Sequence, residues 1–323
     1  MSRTKLVAAA IGAAALVAII VYAGAGAVGQ AAERVGITGL ILIALIHLPV
    51  TAVTGSAWSL IGTDTPGASP WKFIWARFVR EATGEVLPFS QLGGIVAGVR
   101  ALTLTGVGAL PVTGLMLTDI LIEQAAKLPY VITGVALVLT AHRGAPTQLI
   151  AWALLPALVL AIAGIVGRRH LTSILERAAR SLARRMPGFR VGATGESATL
   201  DRLLVWDRRT LAAFACHTLA WALGAAETWV MLHLMGIAVT ATGALIIDSL
   251  FCGLRTFGFA VPAALGVQEA GYVLVCALLG IPAAPAVTLS LIRRVRELLI
   301  GIPGLASWQL FEGRRALAGL PEE

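Results

Sequence analysis

Two groups of charged residues lie in sequence apolar enough to sit in lipid. One is Gln268-Glu269, inside the stretch Val261-Pro262-Ala263-Ala264-Leu265-Gly266-Val267-Gln268-Glu269-Ala270-Gly271-Tyr272. The other, further on, is Arg293-Arg294-Val295-Arg296-Glu297. A charge at the centre of an inserted helix costs about 2.5–3.5 kcal/mol on insertion scales, and more on others. Groups kept at that cost face a cavity, a partner or a substrate. Arginine forks bind phosphate or carboxylate through paired hydrogen bonds. Arg293 and Arg296 are three apart and share a helical face, which suits a polar headgroup. Glu269, flanked by glycines, is expected to close such a site by pairing with an arginine. The simpler alternative is a buried ion pair that fixes two helices.

The N-terminal half has its own charges. Arg77, Glu81 and Glu85 fall on one helical face by their spacing of four. With Arg80 and Arg100 they flank Leu87-Pro88-Phe89 and Gly93-Gly94, as a charged mouth or an interfacial ion-pair network. Asp119 and Glu123 also share a face. Two such carboxylates repel unless paired or unless one holds a proton. Arg100 or Arg293 is the expected basic partner, and proton coupling is the alternative. Glu227 lies in a Trp-rich apolar helix with His217 and His233. Asp248 and Arg255, two helical turns apart, are placed to face one cavity. Cys216, Cys252 and Cys276 stand singly and read as packing residues. No spacing suggests a metal or cofactor, and no hydrolase, P-loop or dinucleotide motif is present, so no catalytic residue is assigned.

The elements that position these residues follow from composition. The chain is 58% apolar and 13% charged, against about 45–50% and about 25% in ordinary soluble domains. Long apolar runs without strand alternation predict an all-α, polytopic integral membrane helical bundle rather than a β-barrel. Residues 6–28 resemble a signal peptide, but the apolar run is long for one, so a retained first helix is expected.

The net charge of +8 is concentrated from Arg168 to Arg209, where ten arginines face four acids. The positive-inside rule puts this segment, and both termini, in the cytoplasm. Leu171, Ile174, Leu175, Ala178 and Leu182 recur at helical spacing, giving either an amphipathic helix on the anionic inner leaflet or a solvated connector. Nucleic acid is not the expected partner, because membrane orientation accounts for the charge. The chain then divides into an N-terminal transmembrane half (1–167), an Arg-rich connector (168–209) and a C-terminal transmembrane half (210–323). Each half has a helix-breaking, re-entrant segment, near 81–100 and 255–272. Residues 102–141 are expected to form one long crossing, broken near Pro111 or Pro129. Leu87-Pro88 parallels Val261-Pro262, and Gly108-Ala109-Leu110-Pro111 parallels Gly280-Ile281-Pro282. Paired, interrupted segments of this kind point to inverted repeats around a midplane site.

The pattern from Pro262 through Gly266, Gln268-Glu269 and Gly271-Tyr272 to Arg293-Arg294, Arg296-Glu297-Leu298-Leu299, Gly301, Pro303-Gly304-Leu305 and Trp308 resembles the flippase-like transmembrane family. That family is the membrane part of lysylphosphatidylglycerol synthases, and the sequence is most similar to its hopanoid-associated, HpnL-type branch. Arg80-Glu81, Leu87-Pro88-Phe89, Arg100, Asp119, Glu123 and Glu227 agree. Ile95 stands where the family commonly carries an acid. The aminoacyl-transferring domain of full-length synthases has no counterpart here, so lysyl transfer is not implied.

The resemblance implies an inner-membrane lipid flippase, handling a hopanoid or related polar lipid, and not an enzyme. Glu269, Gln268, Arg293 and Arg296 would hold the headgroup in one repeat. Glu81, Glu85, Arg100, Asp119 and Glu123 would line the other, with Glu227 beside them. A non-catalytic scaffold that gathers lipid-biosynthesis enzymes through residues 168–209 is the alternative.

Overall fold

The computed structural model describes residues 25–67, 69–86, 90–107, 109–141, 207–255 and 266–317. The expectations for the first apolar run and for most of the Arg-rich connector, with its membrane-surface and enzyme-docking roles, lie outside these residues. So do residues 87–89 and 256–265.

Among the described residues the chain is entirely helical. The order is α1 (Ala25–Ile61), α2 (Pro70–Val86), α3 (Ser90–Leu104), α4 (Ala109–Ala141), α5 (Arg208–Leu234), α6 (Ala241–Arg255), α7 (Val267–Ala277) and α8 (Ala283–Leu317). Gly36, with φ 59°, divides α1 into two pieces. Beyond it, Ile43, His47, Thr51, Thr54 and Trp58 form a buried stripe, while Ile37, Ile41, Leu45 and Leu48 are exposed. Apolar side chains therefore face outward and polar ones inward, the reverse of a soluble amphipathic helix. Residues Glu33–Ile61 and Gly114–Thr140 are long and apolar enough to cross a bilayer.

The order long, short, short, long occurs twice. Each last helix begins three residues after a glycine with positive φ: Gly106 (84°) before α4 and Gly280 (70°) before α8. Pro111 and Pro285 each stand third in those helices, in a first turn where a missing N–H breaks no ladder bond. Packing repeats as well. The contact of α1 with α2 is matched by α5 with α6, that of α2 with α8 by α6 with α4, and that of α1 with α8 by α5 with α4.

The equivalent helices α1 and α5 pack on each other antiparallel. Gly39, early in α1, lies beside Leu234 at the end of α5. Asp64, just past α1, pairs with Arg209 at the start of α5. That guanidinium holds the exposed Asp64 carboxyl below its usual value. Repeats whose matching helices run in opposite directions are inverted repeats.

The breaks differ in detail from the sequence expectation. Arg77, Glu81 and Glu85 ride on α2, which starts at Pro70 and ends at Val86. They belong to the first arm of the hairpin and not to its broken turn. In the other half α6 ends at Arg255 and α7 starts at Val267. The long segment 102–141 is interrupted at 105–107, ahead of Pro111, and α4 continues through Pro129. Pro129 is exposed, and its carbonyl accepts a hydrogen bond from the Thr133 hydroxyl at 2.8 Å.

Small residues let the arms approach across the repeats. A Cβ on Gly301 of α8 would lie 2.2 Å from Val86 of α2, and one on Gly134 of α4 would lie 1.9 Å from Ser249 Oγ of α6. Overpacking of this kind costs about 1–3 kcal/mol. Gly134→Ala is therefore expected to lower the thermal unfolding midpoint in detergent. An unchanged midpoint would mean that the seam yields.

Candidate functional site

The inward faces of the helices carry ion pairs in separate sets. In the first, Arg77 and Arg80 of α2 meet Asp119 and Glu123 of α4. Arg80 reaches Asp119 at 3.1 Å and Glu123 at 3.3 Å, and Arg77 reaches them at 3.3 and 3.4 Å. His217 of α5 adds a 2.7 Å contact to the other Asp119 oxygen. Trp58 lies beside both guanidiniums, 5.8 and 5.7 Å from their carbons. The partners of Asp119 are thus Arg77, Arg80 and His217, not Arg100 or Arg293. Two guanidiniums satisfy the two carboxylates, so no shared proton is needed there.

The second repeat builds the same joint with the signs exchanged. Arg77 is the eighth residue of α2 and Asp119 the eleventh of α4. Asp248 is the eighth of α6 and Arg293 the eleventh of α8. Arg293 donates to Asp248 at 3.0 Å and to the Tyr272 hydroxyl at 2.6 Å. Tyr130 and Thr228 donate to Asp248 at 2.8 and 2.9 Å.

Between these joints, where the repeats meet, lies a third set. His47 bonds Glu227 through Nδ1 at 2.8 Å and Glu81 through Nε2 at 2.5 Å. Thr51 donates to the other Glu81 oxygen at 2.8 Å. Arg296 lies against the His47 ring, 3.0 Å from Nε2, and 3.5 Å from both Glu227 and Glu297. Arg255 joins Glu85 at 2.5 Å and approaches Glu297 at 3.7 Å. A cleft between α1, α2 and α8 opens on this set, lined by His47, Glu81, Ala82, Glu85, Arg296, Glu297, Ile300 and Gly301.

Residues 6–304 match the model of the lysylphosphatidylglycerol synthase TM region. The chain belongs to this family. No curated protein and no solved structure matches it. Membership in the lysylphosphatidylglycerol synthase transmembrane family accounts for an inside-out helical bundle in a membrane and ties the chain to membrane lipids.

Of the ten residues expected at the site, Glu81, Glu85, Glu227 and Arg296 come together at the cleft. Asp119, Glu123 and Arg293 form the flanking joints. Glu269 is elsewhere: it accepts from the Gly266 N–H at 2.8 Å, closing the first turn of α7, and is held by Arg294 at 2.6 Å and Ser290 at 3.2 Å. That geometry is a helix cap tied to α8. Arg294, not Arg293 or Arg296, is its arginine. Gln268 is buried and bonds the Ser290 carbonyl at 3.3 Å. Arg100 does not line the charged mouth, because it pairs with Glu312 of α8 at 2.6 Å.

Sequence reasoning missed His47, which joins Glu81 to Glu227 at the cleft. Its signal was available, since it is the one titratable side chain between Ile37 and Ile61.

Proposed function

We propose that the protein moves a polar lipid across or out of the bacterial cytoplasmic membrane, without covalent chemistry. The headgroup enters the cleft between α1, α2 and α8 while the acyl or polycyclic part stays in the bilayer. Both chain termini lie on the cytoplasmic side. The observation that carries this reading is the composition of the cleft wall. Inverted repeats both contribute charged groups to it, and in membrane transporters the repeat interface is where polar substrates bind. Close-packed seams on either side would let one repeat rock against the other. The hopanoid-like character of the lipid rests on the branch resemblance, and the headgroup contacts are Glu81, Glu85, His47 and Arg296.

The test is transport by purified protein in liposomes, with fluorescent phosphatidylglycerol or labelled hopanoid placed in one leaflet. Glu81→Gln and Glu85→Gln each remove a charged hydrogen-bond partner, worth about 1.5–3 kcal/mol. Either is expected to slow lipid equilibration about tenfold or more. Wild-type rates in both variants would remove the cleft from the transport path.

A further inference from the structure

We infer that Glu297 is a proton-binding site and that the protein couples lipid movement to protons taken up and released there. The proton site stands on geometry alone, whereas the coupling rests on the transport reading above.

The repeat comparison singles this residue out. Glu297 is the fifteenth residue of α8, and Glu123 is the fifteenth of α4. Glu123 is held by Arg77 and Arg80. In the second repeat those two helix positions hold Asp248 and Phe251. Glu297 has instead Arg296 and Arg255, 3.5 and 3.7 Å from its Oε1 and in no hydrogen bond with it. It is only 8% exposed, and its Oε1 has no hydrogen-bond partner. That carboxylate lines the cleft.

The charges around it leave room for one more cation. The ion pairs that contain Glu297 form a closed group with three other carboxylates, Glu81 and Glu85 from α2 and Glu227 from α5. Against these four stand Arg296 on its own helix, Arg255 from α6 and His47 from α1. His47 meets a carboxylate at each ring nitrogen and also touches Arg296; counted as charged, it is the third cation. Four carboxylates thus face at most three cations. In the flanking joints Arg77 and Arg80 stand against Asp119 and Glu123, and Arg293 against Asp248, one guanidinium for each carboxylate.

A proton fits this gap better than a metal ion. The guanidiniums of Arg296 and Arg255, 3.5 and 3.7 Å from Glu297 Oε1, would repel a metal and occupy its coordination space. A proton adds no bulk and forms one O–H bond on the carboxylate, whose Oε1 makes no hydrogen bond. It comes from water on one side of the membrane and leaves by breaking the same bond towards the other. Ionised Glu297 competes with Glu85 for Arg255, and protonated Glu297 does not. Because Glu85 belongs to the first repeat while Arg255 and Glu297 belong to the second, the proton changes a tie between the two repeats.

The experiment is infrared difference spectroscopy of the purified protein during a pH titration, run beside gradient-driven transport. Wild type is expected to show a carboxylic C=O band that shifts in heavy water, survives in Glu123→Gln, and is lost in Glu297→Gln. In phosphatidylcholine–phosphatidylglycerol vesicles a pH gradient should bias the leaflet distribution of fluorescent phosphatidylglycerol, and Glu297→Gln should lose that bias. A band that persists in Glu297→Gln overturns the proton site. Lipid movement in wild type that ignores the gradient overturns the coupling. If the band is lost as expected but no lipid moves, the proton site is supported and the transport reading fails.

Discussion

Replacing Arg296 with alanine is expected to destabilise the protein by about 3–5 kcal/mol, the usual result of stripping one partner from a buried ion pair. Arg296 is 3% exposed and lies among Glu227, Glu297 and the His47 ring. Without it, three cations at the cleft become two while four carboxylates remain. Because Arg296 is buried, the folded state bears the penalty. Arg296→Lys keeps the charge but loses the planar fork, and should fall between wild type and alanine. The measurement is thermal unfolding in detergent followed by tryptophan fluorescence, with lipid transport alongside. A melting temperature for Arg296→Ala equal to that of wild type would show that the cleft is hydrated and the pairing energetically slight.

Much of the architecture was legible before any geometry. Composition and the length of the apolar runs specify a helical membrane bundle, because only internally bonded backbone survives in lipid. The helix breakers located both hairpins, and the paired Pro and Gly signals pointed to duplication. Pro111 marked the break, which lies just before α4, whereas Pro129 misled. Proline breaks a helix only where it removes a ladder bond that nothing replaces. Pro111 sits in a first turn, and membrane helices such as α4 tolerate an interior proline.

The partners within the site were far less legible. A charge pattern of period four shows which residues share a face, but not which helix that face will meet. Asp119 finds Arg77, Arg80 and His217 because α4 lies against α2 and α5, an outcome of the inverted fold and not of sequence distance. His47 and Glu227 are brought together only by the antiparallel crossing of α1 and α5. Glu269 looked like a ligand because a carboxylate in apolar sequence is costly wherever it is. Capping α7 and pairing with Arg294 absorb that cost without a substrate.

Exchanging Asp248 and Arg293 tests how the duplication was hidden. An ion pair is equally satisfied in either order, so drift after a duplication can reverse the signs and erase residue identity while preserving the joint. The first repeat already holds the reversed order, Arg77 on the short arm and Asp119 on the long helix, at the same helix positions. Asp248→Arg alone sets two guanidiniums face to face, and Arg293→Asp alone sets two carboxylates so. Each is expected to cost about 3–5 kcal/mol. The double exchange should recover at least about 2 kcal/mol of the summed loss, within the range measured for close charge pairs. The hydroxyls of Tyr130, Thr228 and Tyr272 accept as readily as they donate, so they can serve the pair in either order. Full recovery is not expected, because Arg293 also lies over the Phe251 ring, 5.4 Å from its centroid. Thermal unfolding of the two single variants and the double variant closes the cycle. Strictly additive losses would mean that the surroundings of each position, and not the pair, set its charge, and the equivalence of the two joints would then be coincidence.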